Sequence, residues 1–152
     1  MPQSLARVRV HLVFSTKYRE PLLKTLELRE HLYAYMAAVL RDKVDSPAII
    51  VGGVEDHVHA LVSLSRNVAI SQVVKDAKTE TTKWLKKQSD SLANMQWQAG
   101  YAAFSVSESR VATVERYISN QVDHHRNMTF QDEFRVICSQ QGVEWDERYV
   151  WD

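Results

Sequence analysis

Apolar and polar residues alternate with a period of two from position 7 to 14. Val8, Val10, Leu12 and Phe14 share one side, and Arg7, Arg9 and His11 share the other. That alternation predicts a strand with one core-facing side. Between 22 and 40 the spacing changes to three and four: Leu22, Leu26, Leu32, Tyr33, Met36, Val39 and Leu40 predict an amphipathic helix. Ser46-Pro47 turns the chain into an apolar run over 48–54, read as a buried strand, and Glu55-Asp56 reads as a hairpin turn. Residues 57–64 alternate again, with Val58, Ala60, Val62 and Leu64 inward and His57, His59, Leu61 and Ser63 on the opposite face.

A second helix is expected after Ser71, a good N-cap residue, running to about 88 through Val73, Val74, Ala77, Trp84 and Leu85. A loop containing Trp97 leads to a fourth strand at 101–106. Ser109 is placed to cap a third helix over 111–125, and a short helical segment near 130–140 precedes a ragged acidic end. The order is βαββαβ with an extra C-terminal helix. It predicts an α+β, ferredoxin-like antiparallel sheet with helices on one face. No repeat or long linker divides the chain, so 1–152 reads as a single domain with a core at about 6–134. The acidic tail at about 135–152 is expected to matter least.

Composition removes several alternatives. The chain has 152 residues, 45% hydrophobic and 25% charged, which excludes a disordered or low-complexity protein. The lone Cys138 builds neither a disulfide framework nor a four-cysteine zinc site, and reads as a reduced packing residue. No charge-free apolar run approaches the roughly 18 residues of a membrane span. The first residues have no signal-peptide pattern, so a cytoplasmic protein with no membrane partner is expected. Net charge is zero but uneven: 1–130 hold 17 Lys/Arg against 13 Asp/Glu (+4), and 131–152 hold two Arg against six acids (−4). A mildly basic body can still present a groove to an anion.

Two groups carry candidate chemistry. In His57-Val58-His59 the two imidazoles leave one strand face about 6.6 Å apart at Cα, close enough to converge on one ion. Six His in 152 residues make about 0.2 such pairs by chance, and two solvent-facing histidines satisfy the pattern equally. Tyr117 and Gln121, four apart, stack on one helix face, with His124 a turn further on and Val114 and Ile118 beside them. A boundary aromatic and a solvated amide satisfy that pattern too. Read together, His57, His59 and Gln121 make a three-ligand site for Mg²⁺ or Mn²⁺, with His124 as the substitute third ligand and Tyr117 beside a bound phosphate. The lysines of the second helix, Lys75, Lys78 and Lys83 among them, are candidate phosphate contacts, as are Arg7 and Arg9; each also fits an ordinary solvated face. Trp97 and Tyr101 fit base stacking or plain packing, and His11 fits a supporting or a surface role.

Four segments, in order, carry a resemblance. The run from His11 to Arg19, Asp56-His57-Val58-His59, the strand from Gly100 to Ser107, and Tyr117-Ile118-Ser119-Asn120-Gln121 followed by His124-His125 resemble the single-tyrosine HUH transposases of bacterial insertion sequences (transposase IS200-like). The match spans about 8–134. It implies a homodimeric enzyme without a nucleotide cofactor that cleaves single-stranded DNA at hairpin-marked ends of a mobile element. The nucleophile would be Tyr117, forming a 5′-phosphotyrosine, with His57, His59 and Gln121 on the metal. A domesticated relative that binds or processes hairpin DNA without mobilising an element is the alternative.

Overall fold

A computed structural model describes residues 3–152. Four antiparallel strands, β1 (Arg9–Ser15), β2 (Ala48–Gly53), β3 (His57–Ser63) and β4 (Ala102–Val106), form one sheet in the order β2-β3-β1-β4. This is the expected ferredoxin-like order, with β1 and β3 central. Two helices, α1 (Leu26–Lys43) and α2 (Ile70–Lys86), cover the first face. Their apolar stripes meet Val10, Leu12 and Phe14 of β1 and Val58, Ala60 and Val62 of β3, all buried. The inward residues expected from the period of two are therefore the core.

The second face departs from expectation. It is not open: α3 (Val111–Ser119), α4 (Gln121–His124) and α5 (Phe130–Gln141) close over it. Val13, Ala102 and Phe104 of the sheet pack there against Phe130, Phe134 and Cys138. Both sides of β1 and β3 are thus buried, and His11, His57 and His59 lie inside the protein. By contrast β2, expected to be buried, is a half-buried edge strand.

Helix boundaries also shift, for reasons of capping. α1 begins at Leu26 because the Thr25 side chain accepts the Leu28 N–H at 3.1 Å, leaving Leu22 in the preceding turn. α2 starts at Ile70 after Ala69, so Ser71 sits within the first turn and caps nothing. Ser109 lies in a 3₁₀ turn (Glu108–Arg110) before α3. The single helix expected over 111–125 is interrupted at Asn120 (φ −98°, ψ 17°), which separates α3 from α4.

The C-terminal residues are packed, not ragged. Trp151 meets Phe134 with centroids 5.5 Å apart and is flanked by the guanidinium groups of Arg19 and Arg135. Glu147 accepts from Arg135, Trp145 and Trp151, and the Asp152 carbonyl accepts the Gly100 N–H at 3.1 Å. Asp132, Asp146 and Glu147 of this acidic stretch pair with its two arginines, Arg135 and Arg148.

α3 approaches the sheet at Gly52. A Cβ there would lie 2.9 Å from both Cγ2 and the carbonyl oxygen of Ile118, which is buried at 1% exposure. The glycine lets α3 lie directly on β2. Gly52→Ala should push α3 off the sheet and cost about 1–3 kcal/mol in a denaturation experiment. Gly100→Ala, whose nearest contact is 3.6 Å, should stay within about 0.5 kcal/mol. Deleting residues 142–152 uncovers the aromatic cluster. It should cost about 2–5 kcal/mol and lower Tm by roughly 5–15 °C in a thermal scan.

Candidate active site

The site lies between the sheet and the helices of its second face. β3 presents His57 and His59, two residues apart on one side of the strand, and β1 places His11 beside them. α3 brings Tyr117, α4 brings Gln121, and His124 and His125 follow at the end of α4. α5 contributes Glu133. Its buried stripe is Phe130, Phe134 and Cys138, and Glu133 shares their side of the helix.

Glu133 is the centre of the group and is 1% exposed. Its Oε1 is 3.2 Å from His57 Nε2, 3.2 Å from His59 Nε2 and 3.0 Å from His125 Nε2. Its Oε2 accepts the Gln121 side-chain N–H at 2.9 Å and the Tyr117 hydroxyl, and lies 3.4 Å from His124 Nε2. Gln121 Oε1 turns to His57 Nε2 at 3.0 Å. The outer nitrogens are also held: His57 Nδ1 by Asp56 at 2.7 Å, His59 Nδ1 by His11 Nε2 at 2.8 Å, and His125 Nδ1 by the Met128 carbonyl at 2.6 Å.

Charge follows from these contacts. Burial would raise the Glu133 carboxyl, but hydrogen bonds from His125, His57 and His59 outweigh it and hold the group far below the usual carboxylate range. Burial alone would lower His57, yet its bonds to Asp56 and Glu133 raise it to about 9. His11 is held neutral at about 3 by burial, reinforced by His59, and burial lowers His59 as well. The Tyr117 phenol is pushed well above its ordinary value, first by burial and then by the negative Glu133. Tyr117 is therefore a neutral phenol hydrogen-bonded to a carboxylate.

His57, His125 and Glu133 offer ligand atoms within 4.8 Å of one another, a group able to hold a cation. Of the expected ligands, all three buried, His57 meets Gln121 at 3.0 Å and His59 reaches the group through Glu133 at 3.2 Å. Nitrogen donors, an amide oxygen and a carboxylate together suit a divalent ion. Tyr117 lies within the same chain as the histidines: its ring centroid is 5.8 Å from that of His59. It opens onto a cleft of about 300 Å³ whose only lining Lys or Arg is Arg110, a residue the sequence did not single out.

The expected basic residues lie elsewhere. α2 is on the first face of the sheet, opposite Tyr117, and Lys75 and Lys83 are exposed on it. Lys83 lies 3.7 Å from Glu80. Lys78 is not a free cation: its Nζ donates to the carbonyls of Gln98 at 2.8 Å and Gly100 at 2.7 Å, holding the loop before β4. Arg9 bonds Ser63 and, with exposed Arg7, faces Glu108. Trp97 is buried against Phe14 with its Nε1–H on Thr81, so it is packing. Cys138 is buried in the aromatic cluster, as expected.

The sequence missed Glu133, although a 3.6-residue period puts this acid on the apolar side of its helix. His125 entered only as part of the resemblance and without a role, since its orientation comes from a turn.

Among the described residues no helix is long and apolar enough to cross a membrane. Comparison with curated proteins finds no match. Among solved structures, the fold is similar to a candidate transposase from Deinococcus radiodurans R1, with TM-score 0.61 and 21% identity over 80% of this chain and 95% of that one. It is also similar to a REP-associated tyrosine transposase bound to a REP hairpin, with TM-score 0.60 and 12% identity over 82% of this chain and 73% of that one. At such identities the likeness is one of fold. The sequence profile described as "Transposase IS200 like" matches residues 4–121, a span that runs from before β1 to Gln121 and takes in the histidine pair and Tyr117. With most of its length matched, this chain belongs to the IS200-like transposase family.

Proposed function

We propose that this transposase cleaves and rejoins single-stranded DNA through Tyr117, in a metal-dependent reaction directed to hairpins at element ends. The observation that carries the reading is the placement of a neutral phenol against a buried carboxylate, in one cluster with His57, His59 and Gln121.

At neutral pH a phenol is a weak nucleophile and must lose its proton as it attacks. Glu133 Oε2 accepts the hydrogen bond of the Tyr117 hydroxyl and so orients the phenol, while its proton passes to water as the bond to phosphorus forms. The Tyr117 oxygen then forms a bond to the scissile phosphorus. The bond from phosphorus to the 3′ oxygen breaks, and that oxygen takes a proton from water to leave a free 3′-hydroxyl. The 5′ phosphate stays on the tyrosine. Attack by a 3′-hydroxyl on the phosphotyrosine reverses the step and joins strands, conserving the phosphodiester without a nucleotide cofactor. A divalent ion, Mg²⁺ or Mn²⁺, held by His57, His59 and Gln121 supplies Lewis-acid stabilisation of charge on the phosphoryl oxygens. Arg110, on the cleft that Tyr117 lines, is positioned to pair with a backbone phosphate.

All these groups come from one chain, which supports assembly of each site within a subunit. The homodimer implied by the family resemblance would then serve to hold two ends together. The hairpin in the REP-associated relative supports a folded DNA partner. Lys75 and Lys83, across the sheet from Tyr117, and Arg7, which faces Glu108 just before α3, remain candidates for its backbone; Lys78 contributes by shaping the loop it binds.

Incubating the protein with single-stranded hairpin oligonucleotides from the flanking DNA and Mg²⁺ or Mn²⁺ should give a covalent adduct on a denaturing gel. Tyr117→Phe and a chelator should each abolish the adduct while hairpin binding persists. Tight binding with no adduct would instead identify a hairpin-binding relative that no longer cleaves. Asp56→Ala removes the partner that orients His57 and should lower metal-dependent cleavage by about 10–100-fold in the same assay. Cleavage at the normal rate by that variant would remove His57 from the centre.

A further inference from the structure

The imidazoles of His57, His59 and His125 each bring Nε2 to Glu133 Oε1 because each has its Nδ1 held elsewhere, and His57, His125 and Glu133 set their ligand atoms within 4.8 Å of one another. His57 Nδ1 faces the Asp56 carboxylate and His125 Nδ1 faces the Met128 carbonyl. Both contacts fix the ring with its Nε2 turned inward. Glu133 Oε1 lies at the focus, 3.0–3.2 Å from all three nitrogens. A dication between His57, His125 and Glu133 would take all three ligand atoms at once.

The positions of these donors do not depend on flexible surface chains. His57 and His59 sit on a central strand, Glu133 is locked by the aromatic stripe of α5, and His125 is tied by its turn. Oriented ligands backed by fixed outer contacts are what a metal centre requires.

We propose that His125 and Glu133 join His57, His59 and Gln121 in one metal centre, and that this centre takes a first-row transition dication of the Mn²⁺ class in preference to Mg²⁺. This rests on the reading above that the cluster is a metal site, and adds two ligands and a selectivity to it. Three nitrogen donors favour a transition ion, whereas Mg²⁺ prefers oxygen ligands and keeps several waters. The burial of His57, His59 and Glu133 leaves little space for such a water shell. The second carboxylate oxygen stays with Gln121 and Tyr117, so Glu133 links the metal centre to the nucleophile.

The test is Mn²⁺ binding to metal-free, full-length protein, read by the loss of the free-ion EPR signal, with no DNA present. Wild type should bind one Mn²⁺ per chain and retain it against a roughly hundredfold excess of Mg²⁺. Glu133→Gln preserves size and removes the charge; it should weaken Mn²⁺ about tenfold or more, and His125→Ala should do the same independently. His57→Ala with His59→Ala should abolish binding. If both single variants bind Mn²⁺ like wild type while the His57/His59 double variant does not, the added ligands are overturned and the basic site reading stands. If the double variant also binds normally, the metal reading itself fails. Displacement of Mn²⁺ by equimolar Mg²⁺ overturns the selectivity. Because the two single changes lie on different elements, misfolding of one leaves the other decisive.

Discussion

A carboxylate buried among histidines governs the second half of this structure. Glu133 stands between the sheet and the helices that cover it, and every polar side chain of the site touches it or touches something that does. A charge so placed costs several kcal/mol unless it is compensated. The compensation comes from several elements at once: β3 through His57 and His59, α4 through Gln121 at its start and His125 just past its end, and α3 through Tyr117. Docking α5 is therefore coupled to assembling the site. The apolar part of that docking, Phe130, Phe134 and Cys138 against Val13, Ala102 and Phe104, supplies the burial that holds the acid in place.

The two faces of the sheet consequently serve different ends. On the first, α1 and α2 pack on an ordinary apolar core, and their outer lysines meet solvent or hold loops. On the second, the core is split between an aromatic cluster and a polar one, so the helices there are short and interrupted. The break at Asn120 sits between Tyr117 and Gln121, where a continuous helix would have kept both on one straight stripe. Gly52 lets Ile118 press on β2 at van der Waals limit, and that close approach sets how near Tyr117 comes to His59.

A nucleophile and its acceptor in one hydrogen-bonded network has a chemical consequence. Burial and the adjacent negative charge keep the Tyr117 phenol protonated at rest. Its reactivity therefore depends on what a bound phosphate and a cation do to that network. A reversible transesterification gains from such an arrangement, because the same hydrogen bond orients the phenol oxygen for attack and for departure.

Much of this was legible in the chain. The period of two in β1 and β3 placed His11, His57 and His59 on one side, and helical spacing placed Gln121 a turn beyond Tyr117. These are local regularities, determined by backbone geometry that each residue shares with its neighbours. The sequence alone also determined the βαββαβ order, because the hydrophobic period switches between two and three-to-four along the chain. What it left open was which side of each helix met which side of the sheet. That side is decided by long-range packing, and it turned a face expected to be solvated into a second core, an expendable acidic tail into an aromatic lock, and Lys78 from a surface cation into a loop anchor. Glu133 shows the difference most directly. In the sequence it is one acid among six in a negative tail; only when α5 lies across β3, seventy-odd residues away along the chain, do three imidazoles surround it and make its burial possible.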